Sequence, residues 1–143
     1  MRSVADFYQD CMACADALPP LDVKLADAVS CVLAEDVQAP FNLPVVDLAA
    51  CDGYAVRIRD CEGASLEKPV TLPVTEEIRA GAVDPAALVP GTAIRIASGA
   101  PLPTGAEAVV SLEFTDHGVA QVALRTSPAG GENIRRRAED VAQ

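Results

Sequence analysis

Val4, Phe7, Tyr8, Cys11, Ala15 and Leu18 recur at the three-to-four-residue spacing that lines one face of an α-helix with apolar side chains. The spacing predicts a helix over Ser3–Leu18, with Ser3 as its N-cap, Asp6 favouring the helix N-terminus, and Pro19-Pro20 stopping it. So short a helix needs its apolar face covered, which makes it an accessory to a larger body or a dimer contact. Leu21–Leu25 alternates and predicts a short strand, after which Asp27 predicts the cap of a short helical run, Ala28–Leu33. Beyond Pro40 the texture changes. Tyr54–Ile58, Val70–Val74, Ala93–Ala97, Ala108–Phe114 and Val119–Leu124 are short, rich in Val and Ile, and separated by Gly and Pro. They predict a small β-domain of barrel or sandwich type. Asp116-His117-Gly118 reads as a hairpin loop between the last two strands, and Asp60–Lys68 as an exposed connection.

A chain of 143 residues is one ordinary domain or two small ones, and half of it is apolar, enough for a packed core. With no Trp and only Phe7, Phe41, Phe114, Tyr8 and Tyr54 as aromatics, that core has to come from Val, Leu, Ile and Ala. The net charge of -10 biases the protein against nucleic acid and anionic membrane, whose phosphates it would repel. The five cysteines (11, 14, 31, 51 and 61) are odd in number and irregularly spaced, with no secretory leader before them and no apolar run long enough to span a bilayer. Free thiols in a reducing, cytoplasmic setting are the expectation. Cys11 and Cys14 form a C-x-x-C inside the helical pattern with no second pair, which reads as packing or exposed thiols rather than a zinc or redox centre. His117 is the only histidine, so neither a His-based dyad nor a zinc site is expected, and no metal ligand is assigned. The chain stops at Asp140–Gln143 without a closing element, as a piece of a longer protein does.

Three stretches carry possible chemistry. In Asp47-Leu48-Ala49-Ala50-Cys51-Asp52-Gly53-Tyr54, two carboxylates flank a run of small residues that would let a ligand or another chain approach the backbone. The alternative there is a tight turn in which Asp52 bonds its own backbone. In Arg95–Pro103 a strand runs into Ser98-Gly99, whose hydroxyl and amide suit an anion, although a rigid Pro-rich corner explains the same residues. Behind Gly130-Gly131, Arg135, Arg136 and Arg137 are consecutive cations in an acidic chain. They suit phosphate or carboxylate oxygens, or else form a solvated run paired with Glu139 and Asp140.

The order of these stretches resembles the N-terminal region of the molybdopterin molybdenumtransferases, the MoeA family that includes the gephyrin E domain. The carrying residues are Val32–Val37 with Ala39-Pro40, Leu43-Pro44, Asp52–Arg57, Pro90-Gly91, Arg95-Ile96, Gly99–Pro103, Gly105-Ala106, Ala108–Val110 and Asn133–Asp140, in that order from about Leu21 onward. The resemblance implies an α+β, mainly β fold in which short helices accompany an inserted, small barrel-like β-domain. It implies a first lobe of residues 1–44, with 133–143 returning to it, an inserted β-domain of 45–132, and an α/β catalytic domain downstream. It also implies insertion of molybdenum from molybdate into adenylylated molybdopterin, releasing AMP with magnesium (Mg2+) assisting, in a cytoplasmic homodimer.

By the same resemblance, Asp52 faces the partner subunit's cleft, Ser98 stands where the family usually has Thr beside Gly99, and Arg135, Arg136, Arg137 and Asp140 line or brace that cleft. Asp52 and Asp140 are the implied catalytic carboxylates, and Ser98, Gly99 and the three arginines the implied anion-binding groups. The chain departs from the family at Leu48-Ala49-Ala50-Cys51, where Asn-Ser-Ala-Met is usual, at Ala138 for Gly and at Glu132 for Gln. A diverged, non-catalytic interaction module that keeps the dimer scaffold is the alternative reading.

Overall fold

The computed structural model describes residues 2–16, 18–85 and 87–143, and the chain divides into two units, Met1–Gln38 and Ala39–Gln143. In the first unit, helix α1 (Val4–Ala13) opens on a capping box. Ser3 Oγ accepts from the Asp6 N–H at 3.1 Å, and the Asp6 carboxylate accepts from the Ser3 N–H at 3.2 Å. The helix ends at Ala13 with Cys14 as its C-cap, five residues short of the predicted Leu18. No residue of α1 is buried, so no packing supports a further turn, and Pro19 disfavours helical backbone just before it. Ala17, within the expected helix, lies outside the described residues.

Leu25–Asp27 forms a single 3-10 turn, and neither the strand expected over Leu21–Leu25 nor the helix expected over Ala28–Leu33 is present. Alternation alone makes no strand without a hydrogen-bonding neighbour, and no described segment pairs with this one. Asp27 closes the 3-10 turn instead of capping a helix, and Ser30 takes a left-handed φ of 70° that a continuing helix does not allow. No described residue of this unit is buried, and no described helix is long and apolar enough to cross a membrane.

The second unit holds strands β1 (Leu48–Ala49), β2 (Gly53–Val56), β3 (Val70–Ile78), β4 (Ala93–Ile96), β5 (Ala108–Ser111), β6 (Gln121–Leu124) and β7 (Ile134–Arg135). Five of them form a sheet in the order β5-β2-β4-β3-β6, with β3 and β4 parallel and the other pairs antiparallel. The two edges of that sheet approach one another. Thr115 bridges Leu124, and the Arg125 N–H donates to the Phe114 carbonyl at 2.8 Å, so the sheet curls toward a barrel. Together with α1 this is the expected α+β, mainly β fold.

All five predicted strands occur, with shifted ends. β2 begins at Gly53 and gives way to a 3-10 turn over Ile58–Cys61, β3 continues to Ile78, β5 stops at Ser111 before a 3-10 turn over Leu112–Phe114, and β6 starts at Gln121. Asp116–Gly118 does not join two paired strands, because β5 and β6 lie at opposite edges of the sheet and are linked through the segment after β5, by the Thr115–Leu124 bridge and the Arg125 N–H on the Phe114 carbonyl. Asp60–Lys68 is not wholly exposed either. Cys61 is fully buried in the core, where burial pushes its thiol up to about 11, and Ala64 is buried as well.

The core is aliphatic, as the composition requires, with Tyr54 its one fully buried aromatic side chain. Successive strand residues point to opposite faces, so β2 and β5 serve two clusters. Tyr54, Val56 and Val110 pack with Leu72, Val122 and Leu124, whereas Ala55 and Val109 pack with Ile78, Ile94 and Ile96. Tyr54 Oη donates to the Gly118 carbonyl at 2.9 Å and so fastens the 116–118 loop.

Asp116 fastens the same loop from outside, its Oδ1 accepting from the Ala123 N–H at 2.9 Å and the Gly118 N–H at 3.1 Å. The Ala123 amide is the main cause that holds this carboxyl below its ordinary value. A depressed carboxylate stabilises the fold above its unfolded-state pKa, near 4, and that contribution is lost as pH falls through the lower folded value. Thermal unfolding followed from pH 6 down to pH 3 is expected to show a shallower acid loss in Asp116→Asn than in the unmodified chain. Parallel curves would remove Asp116 from the acid response.

Candidate functional site

Strand β1 is the seam that joins the three stretches singled out by sequence. On one side the Gly99 N–H donates to the Ala49 carbonyl and the Ala49 N–H to the Ala100 carbonyl, each at 2.9 Å, while Leu48 bridges Pro101. On the other side Leu48 pairs with Arg135 and Ala49 with Ile134, and the Ala50 N–H donates to the Asn133 carbonyl at 2.9 Å. Ala49, Ala100 and Ile134 turn inward to one core cluster. The seam thus has Asp52 beyond one end and Asp47 at the other, separated by five residues, at most about 17 Å of extended chain.

At the Asp52 end the carboxylate is exposed, and its Oδ1 accepts from the Ser98 N–H at 2.7 Å. Ser98 Oγ donates to the Ala50 carbonyl at 3.3 Å, and the Leu112 N–H donates to the Asp52 carbonyl at 3.2 Å. The tight turn in which Asp52 bonds its own backbone is therefore not what forms, and Gly53 does not adopt a left-handed φ. The donors of Ser98 and Gly99 are engaged within the chain, whereas Asp52 Oδ2 has no hydrogen-bond partner among the described residues.

The space admitted by Gly53 is filled from inside. A Cβ built there would stand 2.1 Å from the Val110 carbonyl oxygen, so it is the neighbouring strand that approaches this backbone. Asp52, Gly53, Ile96, Ala97 and Leu112 line a cleft of about 130 Å³ together with Arg95, which opens the second marked stretch without having been assigned a role, and Glu77, which lies outside all three. Glu77 and Arg95 come to it because β3 and β4 pair in parallel, a register that no local signal announces. Cys51 beside Asp52 is half-buried, and burial is the first cause that raises its thiol above the ordinary value.

At the other end the arginines are held by carboxylates. Arg135 pairs with Asp140. Arg136 Nη1 meets Asp47 Oδ2 at 2.7 Å, and the Arg137 N–H donates to Asp47 Oδ1 at 2.7 Å. That backbone bond is the foremost cause that holds Asp47 below its ordinary value, against the desolvation that raises it, with Arg136 also lowering it. The Arg136 N–H donates to Glu139 at 2.7 Å while the Glu139 N–H returns to the Arg136 carbonyl at 3.1 Å, closing a turn over 136–139. Ala138 occupies the third position of that turn at φ 64°, where a turn of this kind favours glycine. Asp47 is thus the anchor of the basic run. The sequence showed it as a flanking carboxylate, but its partners lie 89 and 90 residues away.

The structure therefore groups Asp52 with Ser98 and Gly99, and Arg135, Arg136, Arg137 and Asp140 with Asp47, on two ends of one seam. Among the described residues no group of three or more His, Cys, Asp or Glu side chains could hold a metal ion, and Cys11, Cys14 and Cys31 are exposed.

Comparison with known proteins identifies the family of the chain. The family model described as MoeA N-terminal region (domain I and II) matches residues 2–143. The chain is 49% identical over 142 residues to molybdopterin molybdenumtransferase 2 of Mycobacterium tuberculosis, covering 99% of this chain and 35% of that protein. It is 40% identical over 123 residues to the molybdopterin molybdenumtransferase of Bacillus subtilis, covering 83% of this chain and 29% of that one. Among solved structures, the molybdopterin biosynthesis moeA protein of Pyrococcus horikoshii OT3 superposes with a TM-score of 0.76 at 38% identity, over 85% of this chain and 32% of that chain. The chain spans about a third of the length of these relatives. With a family model covering nearly every residue, the chain belongs to the MoeA family and corresponds to its N-terminal region.

Proposed function

We propose that this chain acts in molybdenum cofactor biosynthesis as the N-terminal region of a molybdopterin molybdenumtransferase, forming one wall of an active site completed by a downstream α/β domain of the partner subunit. The observation that carries the reading is the Asp52 carboxylate, exposed, held at Oδ1 by the Ser98 N–H and free at Oδ2 among the described residues. A carboxylate fixed by one oxygen leaves the other ready to orient a water, accept a proton or take a metal-bound ligand. Ser98 and Gly99 act by setting that carboxylate and the β1 seam in place. The run Arg135, Arg136 and Arg137 serves the phosphate and oxyanion groups of adenylylated molybdopterin and molybdate, with Asp140 as orienter of Arg135 or metal-side carboxylate and AMP released as molybdenum is inserted.

The reading carries with it a homodimer in the cytoplasm, no nucleic acid and no membrane, and a two-lobed plan in which residues 1–44 and 133–143 form one lobe and 45–132 the inserted β-domain. What supports the return of 133–143 is local to the second unit: Leu43 and Val141 bridge one another, with the Asp140 N–H donating to the Leu43 carbonyl at 3.0 Å. For magnesium, the described residues do not make a site on their own. Magnesium is commonly held by one or two carboxylates together with substrate phosphates, so Asp52 would supply a single ligand and the nucleotide the rest. When bound, the metal neutralises charge on those phosphates.

A second reading, a non-catalytic module that keeps the scaffold, is favoured by one observation. Leu48-Ala49-Ala50-Cys51 brings no hydroxyl or amide side chain to the seam, and Ala49 is buried in the core. Molybdenum insertion by the unmodified full-length protein separates the two, since the non-catalytic module predicts none, and the Asp52→Asn variant then tests the residue. Reduced insertion with the fold intact supports the enzyme reading, and unchanged insertion takes Asp52 out of the mechanism.

A further inference from the structure

We propose that the three consecutive arginines divide their work: Arg137 contacts the anionic substrate, while Arg135 and Arg136 are positioning residues that hold it there. The proposal rests on the reading of the basic run given above and assigns its roles residue by residue. Arg135 has its guanidinium paired with Asp140, and Arg136 has its own paired with Asp47 at 2.7 Å. The Arg137 guanidinium is exposed and pairs with no carboxylate among the described residues. A guanidinium already bonded to a carboxylate through one nitrogen, as Arg135 and Arg136 are, offers fewer donors to a ligand and is partly neutralised, whereas an unpaired one keeps all five.

The backbone presents Arg137 at the second position of the 136–139 turn, the apex, from which a side chain projects away from the chain. That turn is closed from both ends, by the Arg136 N–H on the Glu139 carboxylate and the Glu139 N–H on the Arg136 carbonyl. Asp47 then fixes the apex itself through the Arg137 N–H at 2.7 Å while its second oxygen takes Arg136. One carboxylate thereby locks the Arg137 backbone and occupies the neighbouring competitor for the ligand. The main chain is preorganised and the side chain is left free, the combination that lowers the ordering cost of binding an anion.

The test uses the full-length protein and adenylylated molybdopterin, with Kd measured at low and moderate salt beside the thermal midpoint of each variant. Arg137→Ala is expected to weaken binding by about 10-fold or more at an unchanged midpoint and to flatten the salt dependence, with Arg137→Lys recovering part of the loss. Arg135→Ala and Arg136→Ala are expected to lower the midpoint and to weaken binding less. Asp47→Ala, which removes both oxygens, is expected to lower the midpoint and to weaken binding through the released Arg137 backbone. Unchanged binding in Arg137→Ala, with weaker binding at an unchanged midpoint in Arg135→Ala or Arg136→Ala, overturns the assignment and leaves the basic run as the anion site. Unchanged binding in all three overturns the run as an anion site and this proposal with it.

Discussion

Gly53→Ala is expected to destabilise the β-domain by about 3 kcal/mol or more, at the upper end of what overpacking a well-filled core costs. The added Cβ would lie 2.1 Å from the Val110 carbonyl oxygen, 2.9 Å from its carbon and 3.0 Å from a Val109 methyl group. The first two atoms are backbone, and they belong to β5, which pairs with β2 from Gly53–Ser111 through Val56–Ala108. No side-chain rotation relieves such a clash, so the two strands must separate, and β2 also pairs β4 on its other edge. The φ of Gly53 lies outside the left-handed region, so the demand for glycine here is one of space. For a domain of this size, the loss corresponds to a fall in thermal midpoint on the order of 10–20 °C. A midpoint within about 2 °C of the unmodified chain would show that the β2–β5 approach is not as close as described.

The largest effect on activity is expected from Asp52→Asn in the full-length protein, a fall in molybdenum insertion of about 100-fold, the scale on which a positioned acid–base or charged group acts. Asparagine keeps the shape and still offers an oxygen to the Ser98 N–H, whose bond at 2.7 Å holds the end of β4 against the seam. What is removed is the negative charge and the proton-accepting power of Oδ2. Because the side chain is exposed, the thermal midpoint should not move. Equal falls in stability and insertion would make Asp52 a structural residue, joining β2 to the 98–101 segment and nothing more.

Local signals were the ones that could be read ahead of the structure. Ser3 and Asp6 are three residues apart, and a capping box needs nothing beyond that spacing. The Val- and Ile-rich runs announced five strands because β-branched side chains fit a pleated surface wherever it lies in the chain. Partnership was not legible. Leu21–Leu25 alternates as β6 does but finds no neighbour, and Cys61 sits in a polar stretch yet is drawn into the core by the 3-10 turn after β2. The same limit held at the site. Asp52, Ser98 and the arginines were marked by their types and order. That Asp52 grips an amide 46 residues away, or that Asp47 holds two arginines 89 and 90 residues on, follows from the β1 seam and from no spacing.

The central claim is that this N-terminal region supplies a wall to a site completed by the other subunit. It is tested most directly with purified mixed dimers of the full-length protein, one subunit carrying Asp52→Asn and the other an inactivated downstream domain. If the site is shared, one of the two sites in each mixed dimer unites an intact N-terminal wall with an intact downstream domain, and about half the unmodified insertion rate returns. The account predicts that recovery, well above either parental homodimer. A mixed dimer no faster than those homodimers would place the whole site within one subunit and contradict it.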